Sequence, residues 1–413
     1  MPQVFNMPKY QETVLKNGLR LISSTNENAV TAVVSLWAKA GSRYESKEQW
    51  GYSHILEHLL SERMIDHYNN TERNHMGAYI NGYTGRESMH FLLEASTKYI
   101  DDILATLSNL TQGFDNMKRL ETEKKIILQE MWMTKENPMK LLSLSALRVF
   151  FDNHPLAQEV IGSPEIIQNA TVENLKKHLG SFLTPKRSAV VVASNLSHDK
   201  ILESVVKYFE PWEPGLFPKT TEKKQQIPNT HTHKDYLYIA NSNKQTSIMI
   251  NFHTPGALNI NEEAALTLAA NYLGSGGKAF LREKLRSETG LVYTVTVSTS
   301  RYTDTGVFQV YTSSSEPTQT IKIIFDSLSA LLSSISPADV EVTKERAVNI
   351  FDRSVSNPRY ENDFLGQSFI LFNHLFEPAD YKRLIKEVSY EDMAGVAKKY
   401  LRRNNCLIAI SGP

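Results

Sequence analysis

The sequence predicts an α+β fold built from two similar domains. Its length of 413 residues exceeds what one compact domain usually holds, so two or more domains are expected. Strand-like and helix-like segments alternate in both halves, but without the regular order of a parallel α/β sheet. The two halves also echo each other at an offset of about 215 to 218 residues, which is typical of an internal repeat. Each half is therefore expected to hold a sheet flanked by helices.

A proline-rich polar segment separates the two halves. It runs from Glu210 to Asp235 and shows neither helical nor strand periodicity. We therefore expect a first domain over residues 1–212, a linker over 213–234 and a second domain over 235–413.

Matching segments in the two halves justify the individual elements. A strand-like run over residues 29–43 corresponds to another over 244–258, and a helical pattern follows each. Thr171 and Ser389 each precede a helical segment near the end of their half, in a position typical of an N-cap residue. The halves therefore predict the same succession of strands and helices.

Composition excludes several classes of protein. The chain has 41% hydrophobic and 22% charged residues, with 45 basic and 45 acidic side chains and a formal net charge of zero. It therefore has no basic field to attract nucleic acid or an anionic membrane. The single cysteine, Cys406, excludes an intrachain disulfide and a cysteine-rich zinc site. The first residues resemble neither a signal peptide nor a presequence, and no run of 18 apolar residues exists, so a cytoplasmic protein is expected.

The first half contains an H-x-x-E-H pattern formed by His54, Glu57 and His58. On a helix, residues four apart lie on one face, so both imidazoles can reach one metal ion while Glu57 lies beside it. This is the order of inverted zinc proteases, but the pattern also fits an ordinary helix with two histidines. The position that matches His54 in the second half falls within residues 264–270, which contain no metal-ligating side chain.

A catalytic zinc ion usually takes three protein ligands and keeps one open position. The predicted helix around residues 120–132 contains Glu123 and Glu130, which are two turns apart and point the same way. Either carboxylate is a candidate third ligand. From the residues alone, composition favours a solvated charged helix face.

The segment from Gly51 to His58, followed 72 residues later by Glu130, resembles the pitrilysin/insulinase family of zinc metallopeptidases. The resemblance extends over nearly the whole chain. It implies one Zn²⁺ per chain, with His54, His58 and Glu130 as ligands. It also implies that Glu57 is the general base and that Glu123 orients a ligating histidine.

Two further segments carry the resemblance. Residues 76–84 are similar to the family's strand beside the zinc, which implies that Asn81 contacts the substrate backbone. Residues 285–293 are similar to the family's Arg…Tyr motif, which implies that Arg286 and Tyr293 bind the substrate carbonyl and stabilise the tetrahedral intermediate.

The sequence departs from the family pattern near the predicted site. Ser61-Glu-Arg-Met stands where the family usually has Phe-x-Gly-Thr, and Gly82 stands where alanine is common. The interval between His58 and Glu130 is also a few residues shorter than usual. These changes leave the predicted ligands and base in place but put substrate specificity in doubt.

By resemblance, the fold is expected to consist of two α/β-roll domains that form half of a clamshell chamber. The implied activity is zinc-dependent cleavage of short or unfolded peptides. A homodimer is expected, with the first domain of one chain facing the second domain of the other, because His54 and Arg286 are on one chain; a heterodimer with a related subunit stays open. Two alternatives are a processing protease for leader peptides or pro-peptides and a non-catalytic assembly subunit of the same fold.

Overall fold

The computed structural model describes residues 8–69, 75–112, 117–213 and 235–413, which form two compact units. Unit 1 contains the described residues within Met1–Met131, Gln158–Lys224 and Ser354–Glu377. Unit 2 contains those within Trp132–Ala157, Gln225–Arg353 and Pro378–Pro413. Apart from residue 213, the predicted linker over 213–234 lies outside the described residues.

A six-stranded sheet forms the centre of unit 1. Its strands are β1 (Lys9–Val14), β2 (Arg20–Thr25), β3 (Thr31–Ala38), β4 (Tyr79–Thr84), β5 (Met89–Ser96) and β6 (Ser188–Ser194). They follow the order β1-β2-β6-β3-β5-β4, in which β2 and β6 are parallel and the other neighbours antiparallel. Strand β4 is an edge strand of this sheet.

Helices cover both faces of this sheet. One face packs against α1 (Tyr52–Asn69), α2 (Ile100–Asn109), α3 (Met117–Glu136), α5 (Pro164–Asn169), α6 (Val172–Phe182) and α7 (His198–Phe209). The other face packs against α12 (Pro358–Phe372). Strand side chains alternate between the two cores, so Leu36 faces the larger group of helices and Trp37 faces α12. Because both faces are covered, the central strands are apolar along most of their length.

Unit 2 contains a five-stranded sheet. Its strands are β7 (Tyr236–Ala240), β8 (Thr246–Pro255), β9 (Val292–Arg301), β10 (Thr305–Ser314) and β11 (Cys406–Gly412). They follow the order β7-β11-β8-β10-β9, in which only β7 and β11 are parallel. One face packs against α8 (Ile260–Gly274), α9 (Phe280–Arg282), α10 (Pro317–Ser334), α11 (Pro337–Val355), α13 (Pro378–Glu387) and α14 (Tyr390–Tyr400). The other face packs against α4 (Pro138–Phe151).

The predicted fold class is confirmed, because each unit is a mostly antiparallel sheet flanked by helices. Once β1 is set aside, the strand orders β2-β6-β3-β5-β4 and β7-β11-β8-β10-β9 correspond strand by strand. The predicted caps are also present: Thr171 accepts a hydrogen bond from the backbone N–H of Asn174, and Ser389 accepts one from Asp392. No helix in the described ranges combines the length and the apolar character needed to cross a membrane.

The compact units depart from the predicted boundaries 1–212 and 235–413 in two segments. Helix α4 comes from the first half of the chain but completes unit 2, and α12 comes from the second half but completes unit 1. The physical reason is that each sheet has a second apolar face that must be covered. At Gly366 of α12 this cover is so close that an added Cβ would lie within 3.0 Å of the Trp37 indole.

Candidate metal centre

Helix α1 brings His54, Glu57 and His58 together on one face. The His54 and His58 rings lie edge to face, with centroids 4.8 Å apart. One potential ligand atom from each of the three side chains lies within 4.8 Å of the others. This is the arrangement that the spacing of the motif predicts for a helix.

Glu130 of α3 approaches both histidines. Its Oε2 atom lies 3.7 Å from His54 Nε2 and 3.8 Å from His58 Nε2. Neighbouring donors in a tetrahedral zinc site with bonds of about 2.0–2.1 Å are about 3.4 Å apart, so these separations fit a shared ion. Two imidazoles and one carboxylate are also a donor set of catalytic zinc sites, which keep a fourth position open.

Glu123 lies behind His58 and is bonded to it. Its Oε2 atom is 3.0 Å from His58 Nδ1, and the residue is buried with 5% of its surface exposed. Since a carboxylate only accepts hydrogen bonds, His58 Nδ1 donates here, and Nε2 is the ring nitrogen on the side of Glu130. A hydrogen-bonded carboxylate behind a histidine fixes the ring and its tautomer, which is what a metal ligand requires.

Burial sets the charge state of the site. Burial, together with the nearby His58, lowers the pKa of His54 to about 3, so the ring is neutral at neutral pH. A neutral imidazole is the form that binds a metal ion. Burial also raises the pKa of Glu57. The nearby His58 and the hydrogen bond from Ser61 oppose that rise, and the Glu130 and Glu123 carboxylates add to it.

Ser61 is a contact of Glu57 that the motif alone did not indicate. Its hydroxyl donates a hydrogen bond of 2.9 Å to Glu57 Oε1. The spacing of four residues on one helix is the signal that makes this bond predictable in retrospect. Glu57 and Glu130 both bring a carboxylate close to the two histidines.

Glu45 is a second residue that the sequence analysis missed. Its buried carboxylate accepts hydrogen bonds from the backbone N–H groups of Gly51 and Ser53, at 2.8 and 2.6 Å. These groups belong to the start of α1, where N–H groups lack partners within the helix. Burial raises the pKa of this carboxyl, and the two backbone hydrogen bonds oppose that rise. Glu45 therefore holds the first turn of the helix that carries His54.

Strand β4 passes beside the Glu57 carboxylate. A Cβ added at Gly82 would lie within 3.0 Å of both Glu57 Oε1 and Ser61 Oγ, so Gly82 faces α1. Asn81 is the adjacent residue, and its Nδ2 atom donates to the Tyr79 hydroxyl at 3.1 Å. Its Oδ1 atom accepts from the backbone N–H of Gly82 at 3.0 Å. Asn81 is thus located on an edge strand next to the candidate base.

Arg286 and Tyr293 belong to unit 2 and contact each other. Arg286 lies in a π-helical turn over Glu283–Glu288, and Tyr293 is the second residue of β9. The guanidinium carbon lies 4.9 Å from the centre of the tyrosine ring, which is a cation–π contact. Tyr293 is 78% exposed, so this pair is a surface feature of the second unit.

Two family models match the chain. The model described as "Insulinase (Peptidase family M16)" matches residues 20–163, and "Peptidase M16 inactive domain" matches residues 169–347. The chain belongs to peptidase family M16. In this zinc protease family, the first match contains His54 and Glu130, and the second contains Arg286 and Tyr293.

Individual M16 relatives are distant in sequence but extend over the whole chain. An "uncharacterized zinc protease" of Rickettsia felis is 23% identical and covers 97% of this chain and 95% of its own length. Human "mitochondrial-processing peptidase subunit beta" is 25% identical, with coverage of 99% and 86%. The crystal structure of a protease from Helicobacter pylori superposes with a TM-score of 0.84 at 20% identity, over 98% of this chain and all of that one. The structural likeness supports the M16 fold.

Proposed function

We propose that this chain is a zinc-dependent endopeptidase that hydrolyses short or unfolded peptides. One Zn²⁺ per chain would be held by His54, His58 and Glu130. The observation that carries the proposal is the approach of Glu130 Oε2 to the Nε2 atoms of both histidines, at 3.7 and 3.8 Å. The distant zinc proteases that resemble the chain over its full length support the same activity.

In the proposed reaction, a zinc ion held by His54, His58 and Glu130 would supply Lewis acidity toward water and the scissile carbonyl. Glu57 accepts a proton from the attacking water and passes it to the leaving amine. Its place on the same helix face as His54 and His58 keeps it next to the reacting atoms. Glu123 positions His58 through the 3.0 Å hydrogen bond.

We place the substrate along β4. This strand forms an edge of the sheet in unit 1, and its Gly82 lies against Glu57. An extended peptide can add to a sheet edge through main-chain hydrogen bonds, and only unfolded or short segments adopt that conformation freely. Asn81, on the same strand, is proposed to contact the substrate backbone.

Arg286 and Tyr293 complete the proposed catalytic machinery. Their guanidinium and hydroxyl groups are donors suited to an oxyanion, and both are held near each other by their mutual stacking. We propose a homodimer in which these residues act on a substrate bound to the partner's zinc site. The exposure of Tyr293 leaves it available for such contact.

The central test replaces the base. Glu57→Gln should retain about one zinc per chain, because the ligands are unchanged, while cleavage of an unstructured fluorogenic peptide falls at least about 1,000-fold. Glu62→Gln, a substitution in the same helix, is the matched control and should keep normal cleavage. Unchanged cleavage by Glu57→Gln would refute the assignment, and loss of zinc would instead identify Glu57 as a ligand.

The dimer is tested by complementation. Glu57→Gln and Arg286→Ala are each expected to be inactive, but a refolded mixture should regain activity, because mixed dimers contain one complete site. Separate variants that stay inactive after mixing, or a solution mass of one chain, would contradict a site shared between copies. Arg282→Ala, another arginine close to the same turn, is the control.

A leader-peptide or pro-peptide processing protease that works with a related subunit is the second candidate. It is favoured by the similarity to a processing-peptidase beta subunit in human mitochondria. Profiling a random peptide library separates the two: broad cleavage supports a general oligopeptidase, whereas one narrow sequence class supports processing. A chain without cleavage even when zinc-loaded would support a non-catalytic subunit. The cytoplasmic location stays a prediction from the sequence.

A further inference from the structure

Ser61 and Gly82 both border the carboxylate of Glu57. Ser61 lies one helical turn after Glu57 and donates its hydroxyl to Oε1 at 2.9 Å. Gly82 lies on β4, and any side chain there would place its Cβ within 3.0 Å of both the Ser61 hydroxyl and Glu57 Oε1. These two residues are also positions at which the sequence departs from the family pattern.

We propose that Ser61 is a positioning residue for the general base and that Gly82 leaves the space this hydrogen bond needs. This inference rests on the proposed function of Glu57. The terminal torsion of a glutamate is broad, so a free carboxylate samples many orientations. A hydrogen bond to Oε1 restricts that rotation and leaves the second oxygen for the proton.

The direction of the Ser61 hydroxyl supports a specific role. A serine within a helix commonly donates to the backbone carbonyl four residues earlier. Here the hydroxyl donates instead to the side chain at that position, Glu57. Both side chains are only partly exposed, so water competes less for this bond than at an open surface.

The close packing makes the two positions interdependent. With alanine at residue 82, the new methyl group would overlap both partners of the hydrogen bond, so Glu57 or Ser61 must move. Removal of the Ser61 hydroxyl would then relieve one of the two overlaps. The effects of the two substitutions on catalysis should therefore not be independent.

The first experiment compares variants at residue 61 in the zinc-loaded full chain, with cleavage of an unstructured fluorogenic peptide. Ser61→Ala should lower kcat about tenfold and leave KM within about twofold, since a hydrogen bond to a charged group is lost but no substrate contact is. Ser61→Cys keeps the size and is a weak donor, so it should resemble Ser61→Ala. Zinc content and the thermal midpoint of the metal-free chain should match the wild type in both.

The second experiment is a double-mutant cycle. Gly82→Ala alone should lower kcat about 100-fold, and adding Ser61→Ala should recover about tenfold of that loss. Simple multiplication of the two single effects would overturn the coupling.

The outcomes separate this inference from the proposed function. In one outcome, the wild type cleaves the peptide, Glu57→Gln does not, and Ser61→Ala and Gly82→Ala are as active as the wild type. That outcome overturns the positioning role alone. Loss of zinc or a lower thermal midpoint in Ser61→Ala also overturns it, because the role would then be structural. A zinc-loaded wild-type chain that cleaves no peptide overturns both proposals.

Discussion

Helices α1 and α8 occupy corresponding places in the two repeats but differ in what they bury. Helix α1 follows β3 and helix α8 follows β8, and each helix packs on one face of its sheet. Helix α8 closes its core with alanine and leucine side chains over residues 264–270, whereas α1 buries His54 and partly buries Glu57 and His58. The fold is therefore satisfied by apolar residues at this position. Burying a polar group costs free energy unless a hydrogen bond, an opposite charge or a metal ion compensates for the lost water.

The polar contacts around the two helices also differ. In unit 1, Glu45 holds the start of α1, Glu123 holds His58, and Ser61 holds Glu57. The N-cap of α8, Asn259, makes no side-chain capping hydrogen bond. The repeat therefore supplies the scaffold twice, while these contacts to the helix start, to His58 and to Glu57 belong to α1.

The largest effect should come from removing the ligand that α3 contributes. Glu130→Gln should lower zinc affinity at least about 100-fold and abolish cleavage at the same zinc concentration, since a neutral amide is a poor substitute for a carboxylate ligand. Isothermal titration with zinc and the peptide assay measure the two effects. Glu136→Gln, at an exposed position of the same helix, is the control. Unchanged zinc affinity in Glu130→Gln would remove α3 from the metal site.

A smaller loss of zinc affinity is expected when the hydrogen bond that orients His58 is weakened. Glu123→Gln replaces the acceptor behind Nδ1 and should weaken zinc binding about 10- to 100-fold while leaving one ion bound at saturation. Cleavage measured at saturating zinc should recover most of its activity, which distinguishes an orienting residue from a ligand. If saturating zinc restores nothing, Glu123 has a direct role in the reaction.

The fold class and the main elements of the site could be predicted from the sequence. The physical reason differs from one element to the next. The spacing of His54 and His58 is a local helical property, so their proximity follows once α1 is assigned. The repeat with matched caps at Thr171 and Ser389 predicted two similar sheets because turn and cap chemistry is local as well. The pairing of Glu130 with the histidines is long-range and came from family resemblance, not from spacing.

Local sequence patterns do not show which elements meet in long-range contacts. Helices α4 and α12 both have apolar faces, but nothing in their periodicity shows which sheet they cover, so contiguous domains were expected. The cap from Glu45 was missed because it acts six and eight residues ahead, outside the usual capping positions. The contact of Gly82 with Glu57 and Ser61 depends on how β4 passes α1, which no local pattern encodes.

Helix α8 also buries one carboxylate, that of Glu263, and this residue provides a further test of the difference between the two helices. Glu263 is 1% exposed, and neither of its carboxylate oxygens has a hydrogen-bond partner among the described residues. Burial raises its pKa to about 7, against an ordinary value of 4.5. In the folded chain it therefore keeps a proton that the unfolded chain releases, so its contribution to stability falls as pH rises from about 4.5 to about 7.

Glu263→Gln should accordingly stabilise the metal-free chain by about 1–3 kcal/mol at pH 8, with a gain that shrinks toward pH 5. Thermal unfolding at both pH values measures this difference. The neighbouring Glu262→Gln is a control of opposite sign, because Glu262 accepts hydrogen bonds from Lys399 and Tyr400, both at 2.7 Å. Equal stability of Glu263→Gln and wild type at pH 8 would show that the buried carboxylate does not destabilise the chain.

The smallest expected effect is a difference in stability between variants at the N-termini of α1 and α8. Glu45→Gln leaves one oxygen for two backbone donors, so either Gly51 or Ser53 loses its acceptor. We expect a loss of about 1 kcal/mol in the free energy of unfolding of the metal-free chain. Asn259→Ala at the start of α8 should cost less, since Asn259 forms no capping bond. If both variants lose the same stability, the contact from Glu45 is ordinary helix capping. A loss confined to Glu45→Gln means that the start of α1 is held by a contact that α8 lacks.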